Sequence, residues 1–587
     1  FHRDVNRMTP KDLGGLVIDI EVKQGKGLVP KDRKLESVGQ ATTSDPFVKV
    51  YGGKTFLGKT KVIFKTLDPV WNQQFQLTLG VDETHQLLER SGAVNLEFRI
   101  FDFDHGKDHD SMGIVRIPVH CTDSPSTKWY KVIPGKGRFK CTNARGHLEI
   151  FTAVSIRKML SLARGNNKVI EFDSIQVCCK WETRKGEEID LDTSCVAIDT
   201  VGNLSIKNTV YYGNRSNPNQ SILHSGDQQG DTHFSQETLI CHLKSVPQSI
   251  KALYFILAVA TPKKTFKNLK SGKVRVLELN RGIGICDFIP TRFGGYTAMF
   301  MMRLARDNNE SWVLSIIEDF DLRCRCFGSL IPEIKSYSQD LIPDIAVDPL
   351  ERMAVLRKEA QIRIHDFSRR KIPKWVAFGL KWDVTEGVNI DLDVSAICLA
   401  KDLMPLDIVY FKQLRSKDKS IRHSGDEREG DSMGDDERIL ISLQNTSSDI
   451  HYIGFVINSF SGQELDDVSL ASCRLYDPKT NYSIATYTLT DSQELDKHTA
   501  LIMGCLARDT SDNWYLRIIS KPAQGRTAHD NVVDLQRYLY NHRPSPPRYA
   551  PKSTRILNKM PDYVEHSEKD LVVPASEFTN LDSQRNR

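Results

Sequence analysis

Glu188-Ile-Asp190-Leu-Asp192-Thr-Ser194 returns later in the chain as Asn389-Ile-Asp391-Leu-Asp393-Val-Ser395, and this recurrence sets the architecture. Asp190 and Asp391 are 201 positions apart, and so are Trp181 and Trp382. His224-Ser-Gly-Asp227 comes back as His423-Ser-Gly-Asp426, and Ala305-Arg306-Asp307 before Trp312 as Ala507-Arg508-Asp509 before Trp514. An offset that drifts only between 199 and 202 describes one domain of roughly 200 residues used twice, not a short-period solenoid. Apolar, β-branched and aromatic runs such as Ala252 to Val259 and His451 to Ile457 make each copy a β-rich sandwich.

Outward from the repeat, residues 13 to 154 form a third unit. Leu16, Ile18, Ile20 and Val22 alternate, and short β-runs follow at Phe47–Tyr51, Phe75–Leu79, Asn95–Phe101 and His147–Phe151. Strands of this length and spacing suggest an antiparallel sandwich. The expected fold is mostly β, with three consecutive sandwiches at 13–154, 168–322 and 372–541. Residues 323–371 form a connector, in which Asp348-Pro349 followed by Leu350, Met353, Leu356, Ala360 and Ile364 predicts an amphipathic helix. From 542 to 587 Pro544, Pro546, Pro547 and Pro551 lie among basic and polar residues without a period. Such a tail cannot bury a core of its own and is disordered or extended along a partner.

Composition agrees. Across 587 residues, 80 Lys plus Arg against 75 Asp plus Glu leave a net charge of +5, so no nucleic-acid partner is expected and any electrostatic partner must be met by local patches. Twelve Cys without framework spacing point to a reducing, cytoplasmic setting with buried thiols. The longest apolar run, near Ala252 to Ala260, is far short of the roughly 20 residues that span a bilayer. Phe1-His2-Arg3-Asp4 does not read as a secretory signal.

Acids gather on loops of the first unit: Asp32, then Ser44-Asp45-Pro46-Phe47, then Asp102-Phe-Asp104-His-Gly-Lys-Asp108-His-Asp110-Ser-Met-Gly113. Lys59-Thr-Lys61-Val-Ile-Phe-Lys65-Thr-Leu-Asp68-Pro69-Val-Trp71-Asn72 lies between them. With the Leu28-Val29-Pro30-Lys31-Asp32 lead-in, these motifs resemble a C2 domain of the protein kinase C and synaptotagmin kind over about 140 residues. One strand before the first loop and a last strand at His147–Phe151 favour the permuted, type II topology. The resemblance implies Ca2+ ligands at Asp32, Asp45, Asp102, Asp104 and Asp110. The chemistry concurs, because Ca2+ takes six to eight hard oxygens and a pair of like charges about 4 Å apart repels by up to ~4 kcal/mol at an effective dielectric near 20. The 13 positions from Asp32 to Asp45 exceed the family's usual spacing. Lys49, Lys54, Lys59, Lys61 and Lys65 follow one another with no acid between, and Lys49, Lys59 and Lys61 match the family's phosphoinositide cluster. Anionic lipids, phosphatidylserine and phosphoinositide, are the implied partners. His105-Gly106-Lys107 carries no large apolar side chain, so insertion should be shallow.

The repeats resemble the tellurite-resistance TerD family, through Gly379-Leu-Lys-Trp382, the Asp-Leu-Asp pairs, the Ser-Gly-Asp turns and Thr499-Ala500 ahead of Trp514. The family binds calcium, and its acidic, glycine-rich loop falls on Gly425 to Glu437. Ligand candidates in the second copy are Asp391, Asp393, Asp426, Asp431, Asp435, Asp436 and Glu437. The first copy is depleted: its loop is one residue shorter, Ser235 and Gln236 replace the acidic pair, and Asp190, Asp192, Asp227, Asp231 and Glu237 remain. It should bind metal more weakly, hold a single ion, or bind none. Thr261 to Arg275 carries Lys263, Lys264, Lys267, Lys270 and Lys273 without an acid, a basic loop suited to an anionic surface.

Catalytic patterns are poor. Gly430-Asp-Ser432-Met-Gly434 fits a nucleophile elbow, but it sits in a carboxylate-rich loop whose field opposes an oxyanion. His224 and His423 read as orienting residues. The expectation is a non-enzymatic Ca2+-binding protein, peripheral to an anionic membrane, with the repeats as a second calcium-tuned surface. The rival reading is a scaffold component of a cytoskeletal or organellar assembly, contacted through the tail and the 261–275 loop, with Ca2+ as a folding cofactor.

Overall fold

The computed structural model describes residues 13–33, 41–90, 93–105, 108–121, 123–226, 234–290, 294–369, 371–384, 392–424, 435–459, 464–465, 468–489, 495–545, 559–561, 564–565 and 572–574. These form three β-sandwiches in series, with few helices. In the first, one sheet runs Ser126–Lys131, His147–Lys158, Leu13–Lys26, Val70–Leu79, and the other Thr55–Lys59, Pro46–Gly52, Ala93–Asp102, Ser111–His120. The last strand lies beside the first, as the permuted topology requires. Leu16, Ile18, Ile20 and Val22 point inward and are buried, so the period-two pattern decides which face meets the core.

The two copies agree strand for strand. One sheet of the first copy runs Leu160–Ser161, Gly284–Phe288, Leu269–Glu278, Ser174–Thr183, Phe234–His242, Ile222–His224. Its counterpart runs Ala354–Leu356, Tyr482–Leu489, Val468–Asp477, Val376–Val384, Glu437–Ile441, Ile421–His423. The opposing sheets correspond likewise, from Asn166–Ile170 and Gln361–Arg363 at one side to Val210–Tyr211 and Pro405–Val409 at the other. Phe378 and Phe455 stack between the second copy's sheets, ring centroids 3.9 Å apart.

The helix expected between Leu350 and Ile364 is absent from those positions. Ala354–Leu356 and Gln361–Arg363 are strands, one for each sheet of the second copy, joined by a turn in which Glu359 has φ +65°. A left-handed residue breaks a helix, and the helical spacing arose from two strands burying Leu356 and Ile362 in one core. Leu160–Ser161 and Asn166–Ile170 do the same ahead of the first copy. The connector's longer helix lies earlier, at Ile331–Tyr337, and a single helical turn follows the second strand at Ile364–Phe367. Seven residues are too few for a stable isolated helix. Docking holds it, with Ile331, Ile334 and Tyr337 packed on the first copy and Glu333 paired with Arg352 at 3.0 Å. Val532–Asn541 covers the second copy in the same manner through Leu535, Tyr538 and Leu539.

Two features join the sandwiches. Val81 donates its N–H to the Gly282 carbonyl at 3.0 Å, and a Cβ on Gly80 would stand 2.1 Å from the Arg281 oxygen. Gly284 also meets Gly14, where a Cβ on Gly284 would stand 2.8 Å from the Gly14 Cα. The tail returns over the same chain: Val564–Glu565 pairs with Asn166–Ile170, and Val572–Pro574 with the far end of His147–Lys158. No helix among the described residues is long and apolar enough to cross a membrane.

Candidate metal and lipid sites

Strand ends bring the first unit's acids together. Pro46 pairs with Asp102 across the sheet, which places Asp45 and Asp102 side by side where the strands end. Asp45 donates its backbone N–H to Asp102 Oδ1 at 2.5 Å, and Phe103 donates its own to the Asp45 carbonyl at 3.0 Å. Lys65, at φ +55°, offers its N–H to Asp45 Oδ1 at 2.7 Å. Asp110 closes the loop, its carbonyl accepting from Asp102 N–H at 2.8 Å and its N–H reaching Asp104 Oδ2 at 3.4 Å. Asp102 is almost fully buried. Burial, with the charges of Asp32, Asp104 and Asp45, pushes its carboxyl up to about 6, against one backbone hydrogen bond that pulls down. Burial and Asp45 also raise Asp32, opposed by Thr43. Acid therefore faces acid.

Among the described residues, no group of three or more His, Cys, Asp or Glu side chains is arranged, as it stands, to hold a metal ion. The donor set at this tip nonetheless suits a hard divalent cation, being all oxygen and unneutralised by an ion pair among the described contacts.

Lys49 and Lys59 are direct cross-strand partners, and Arg99 is the next partner of Lys49, so three cations share one row on one face. Lys49 and Lys59 both lie about the Phe47 ring, at 6.0 and 5.9 Å, while Arg99 pairs with Glu97 at 2.6 Å. Like charges directly opposed are unfavourable unless an anion joins them. Lys54, Lys61 and Lys65 are exposed near this row or on the middle loop. The sequence reading missed Arg99, which only sheet register adds, and Phe64. Phe64 is 60% exposed and stands edge-on to Phe103, ring centroids 6.4 Å apart, between the acids and the lysines. An apolar side chain is present at the tip after all, on the middle loop rather than at His105-Gly106-Lys107.

The acids of the repeats are engaged differently. Asp190 and Asp192 meet Arg357, with Nη1 3.1 Å from Asp190 Oδ2 and Nη2 against Asp192 Oδ1. Burial pushes the Asp192 carboxyl well up while Arg357 pulls it down. Glu237 Oε2 accepts from Thr193 N–H at 2.8 Å and Thr193 Oγ1 at 2.7 Å. His224 orients this cluster, Nε2 2.9 Å from Thr193 Oγ1 and Nδ1 accepting from Gly226 N–H at 2.9 Å. In the second copy Asp435 forms a two-point pair with Arg474, at 2.8 and 3.0 Å. Asp436 Oδ2 accepts from Trp382 N–H at 2.8 Å, and Glu437 Oε2 from Val394 N–H at 2.5 Å. Asp393 is buried beside a cavity of about 120 Å³ whose wall includes Tyr410, Lys412, Asn458 and Arg526. Asp227, Asp231, Asp391, Asp426, Asp431 and Ser432 lie outside the described residues. The basic loop is partly neutralised: Lys264 pairs with Glu187 at 2.5 Å, Lys270 with Glu182 at 2.6 Å, and Lys273 with Asp287.

Fold and sites together define a class: a C2 unit followed by tandem TerD units, all of them β-sandwiches. A C2 domain model matches residues 16–132, and the TerD domain model matches 159–319 and 353–528. The second match covers more than half of the chain, and the chain belongs to the TerD family. Tellurium resistance protein TerZ of Serratia marcescens is 33% identical over 169 residues, 27% of this chain and 85% of that protein. Synaptotagmin 1 of Drosophila melanogaster is 36% identical over 110 residues, 18% of this chain and 22% of that protein. Among solved structures, a homologue of telluride resistance protein (TerD) from Streptomyces coelicolor A3(2) is 21% identical, covering 30% of this chain and all of that one, with a TM-score of 0.24.

Proposed function

We propose that this is a non-enzymatic, calcium-gated adaptor, in which the C2 loops dock on an anionic phospholipid surface and the TerD copies supply a rigid second body. One observation carries the reading. Burial, together with the charges of Asp32, Asp104 and Asp45, raises the Asp102 carboxyl to about 6, and a bound divalent cation would offset that cost. Bound Ca2+ would supply positive charge and open coordination positions for lipid phosphate and carboxylate oxygens. Asp32, Asp45, Asp102, Asp104 and Asp110 would hold it. Phe64 would enter the headgroup layer, and Lys49, Lys59 and Lys61 would meet phosphates, each worth about 1 kcal/mol near the surface.

Sedimentation with phosphatidylserine vesicles tests this, in Ca2+ and in chelator. Binding should require Ca2+ and be lost in Asp102→Asn with Asp104→Asn. Equal binding in both conditions, unchanged by the double variant, refutes the proposal.

A further inference from the structure

Arg357 does not belong to the copy whose acids it holds. It follows the strand Ala354–Leu356, the opening strand of the second copy, and reaches back to the Asp-Leu-Asp motif of the first. Its guanidinium bridges both carboxylates. Nη1 reaches Asp190, Nη2 reaches Asp192 Oδ1, and Nε lies 3.3 Å from Asp192 Oδ2. A planar fork with several donors suits such bridging, and an ammonium does not. The plane rests on the Tyr212 ring at 4.2 Å, and the Tyr212 hydroxyl donates to the Leu356 carbonyl at 3.1 Å, fixing the backbone from which Arg357 projects. Aligning Met159 with Met353, the openings of the two copies, puts Ala163 where the second copy has Arg357. The guanidinium is thus a feature of the junction and not of the domain.

The remaining described acid of that site is committed as well, since Glu237 accepts two hydrogen bonds from Thr193. The described acids of the first copy therefore do not fit a calcium ion: a cation seeking six to eight oxygens would have to strip Arg357 from both aspartates. We infer that Arg357 is the resident cation of the first TerD copy, a metal-independent rivet that fastens the second copy to the first. The inference is independent of membrane docking. Every contact involved lies within the junction itself.

Terbium luminescence titration of the full chain reads it out, with circular dichroism to verify the fold. Asp190→Asn in the otherwise unchanged chain should leave the number of bound ions as it was. Arg357→Gln should gain an additional ion, and Asp190→Asn added to that variant should abolish the gain. A terbium count that falls on Asp190→Asn alone overturns the inference, however the Arg357 variants fold. A folded Arg357→Gln chain that gains no ion overturns it too. Arg357→Lys, which keeps the charge but loses the fork, should fall between the wild type and Arg357→Gln.

Discussion

Asp102 and Asp192 are both nearly buried carboxylates on β-strands of a sandwich, and burial and neighbouring acids raise both, yet their charged contacts differ. Around Asp102 stand Asp32, Asp45 and Asp104, and its carboxyl is pushed up to about 6. Around Asp192 stand Asp190 and Glu237 as well, but Arg357 meets both of its oxygens. The same residue type therefore marks a place that lacks positive charge in one region and a completed ion pair in another. An acidic motif in sequence tells where oxygen is concentrated; the partner that arrives from elsewhere in the chain decides whether a metal is needed. Asp435 with Arg474 repeats the second case inside the second copy.

The sharpest way to break this contrast is Arg357→Ala. It leaves two carboxylates facing each other with one of them buried, and should lower stability by about 3 kcal/mol, read from the urea midpoint in chelator. Arg474→Ala should cost about 2 kcal/mol by the same measurement, because Asp435 is buried to a similar degree but keeps Tyr476 as a hydrogen-bond partner. In the C2 loops the sign should invert: Asp102→Asn with Asp104→Asn should stabilise the calcium-free protein by about 1 kcal/mol through relief of like-charge repulsion. The pH profile follows from the same group. Its folded value lies above the ordinary 3.8, so the stability that protonated Asp102 contributes is full below about 4 and is lost as pH rises through about 6. Thermal melts in chelator from pH 4 to 7 should show that loss in the wild type and not in Asp102→Asn. The smallest effect is expected at the lipid face, where Lys59→Ala should weaken vesicle binding roughly fivefold, about 1 kcal/mol.

The repeat, the three sandwiches and the C2 loops were legible because they rest on local spacing: period-two burial at Leu16 to Val22, and motifs that recur at one offset. Leu350 to Ile364 was misread because two short strands with a turn at Glu359 leave apolar residues three and four apart, as a helix does. Arg357 and Arg474 were not legible. Each finds its acid across the fold, 165 and 39 positions away respectively, and no local pattern marks either. Phe64 was not legible because it carries no acid and lies on the middle loop, which joins the tip only through the Lys65–Asp45 hydrogen bond and the contact with Phe103.

The glycine contacts between the C2 sandwich and the first TerD copy have a mechanical meaning. Gly80 against Arg281 and Gly14 against Gly284 leave no space for a methyl group, and the Val81 N–H is spent across the seam. A seam of that kind has no slack for a swivel. Whatever sets the tilt of the first sandwich sets the heading of its neighbour, as a rudder blade follows its stock.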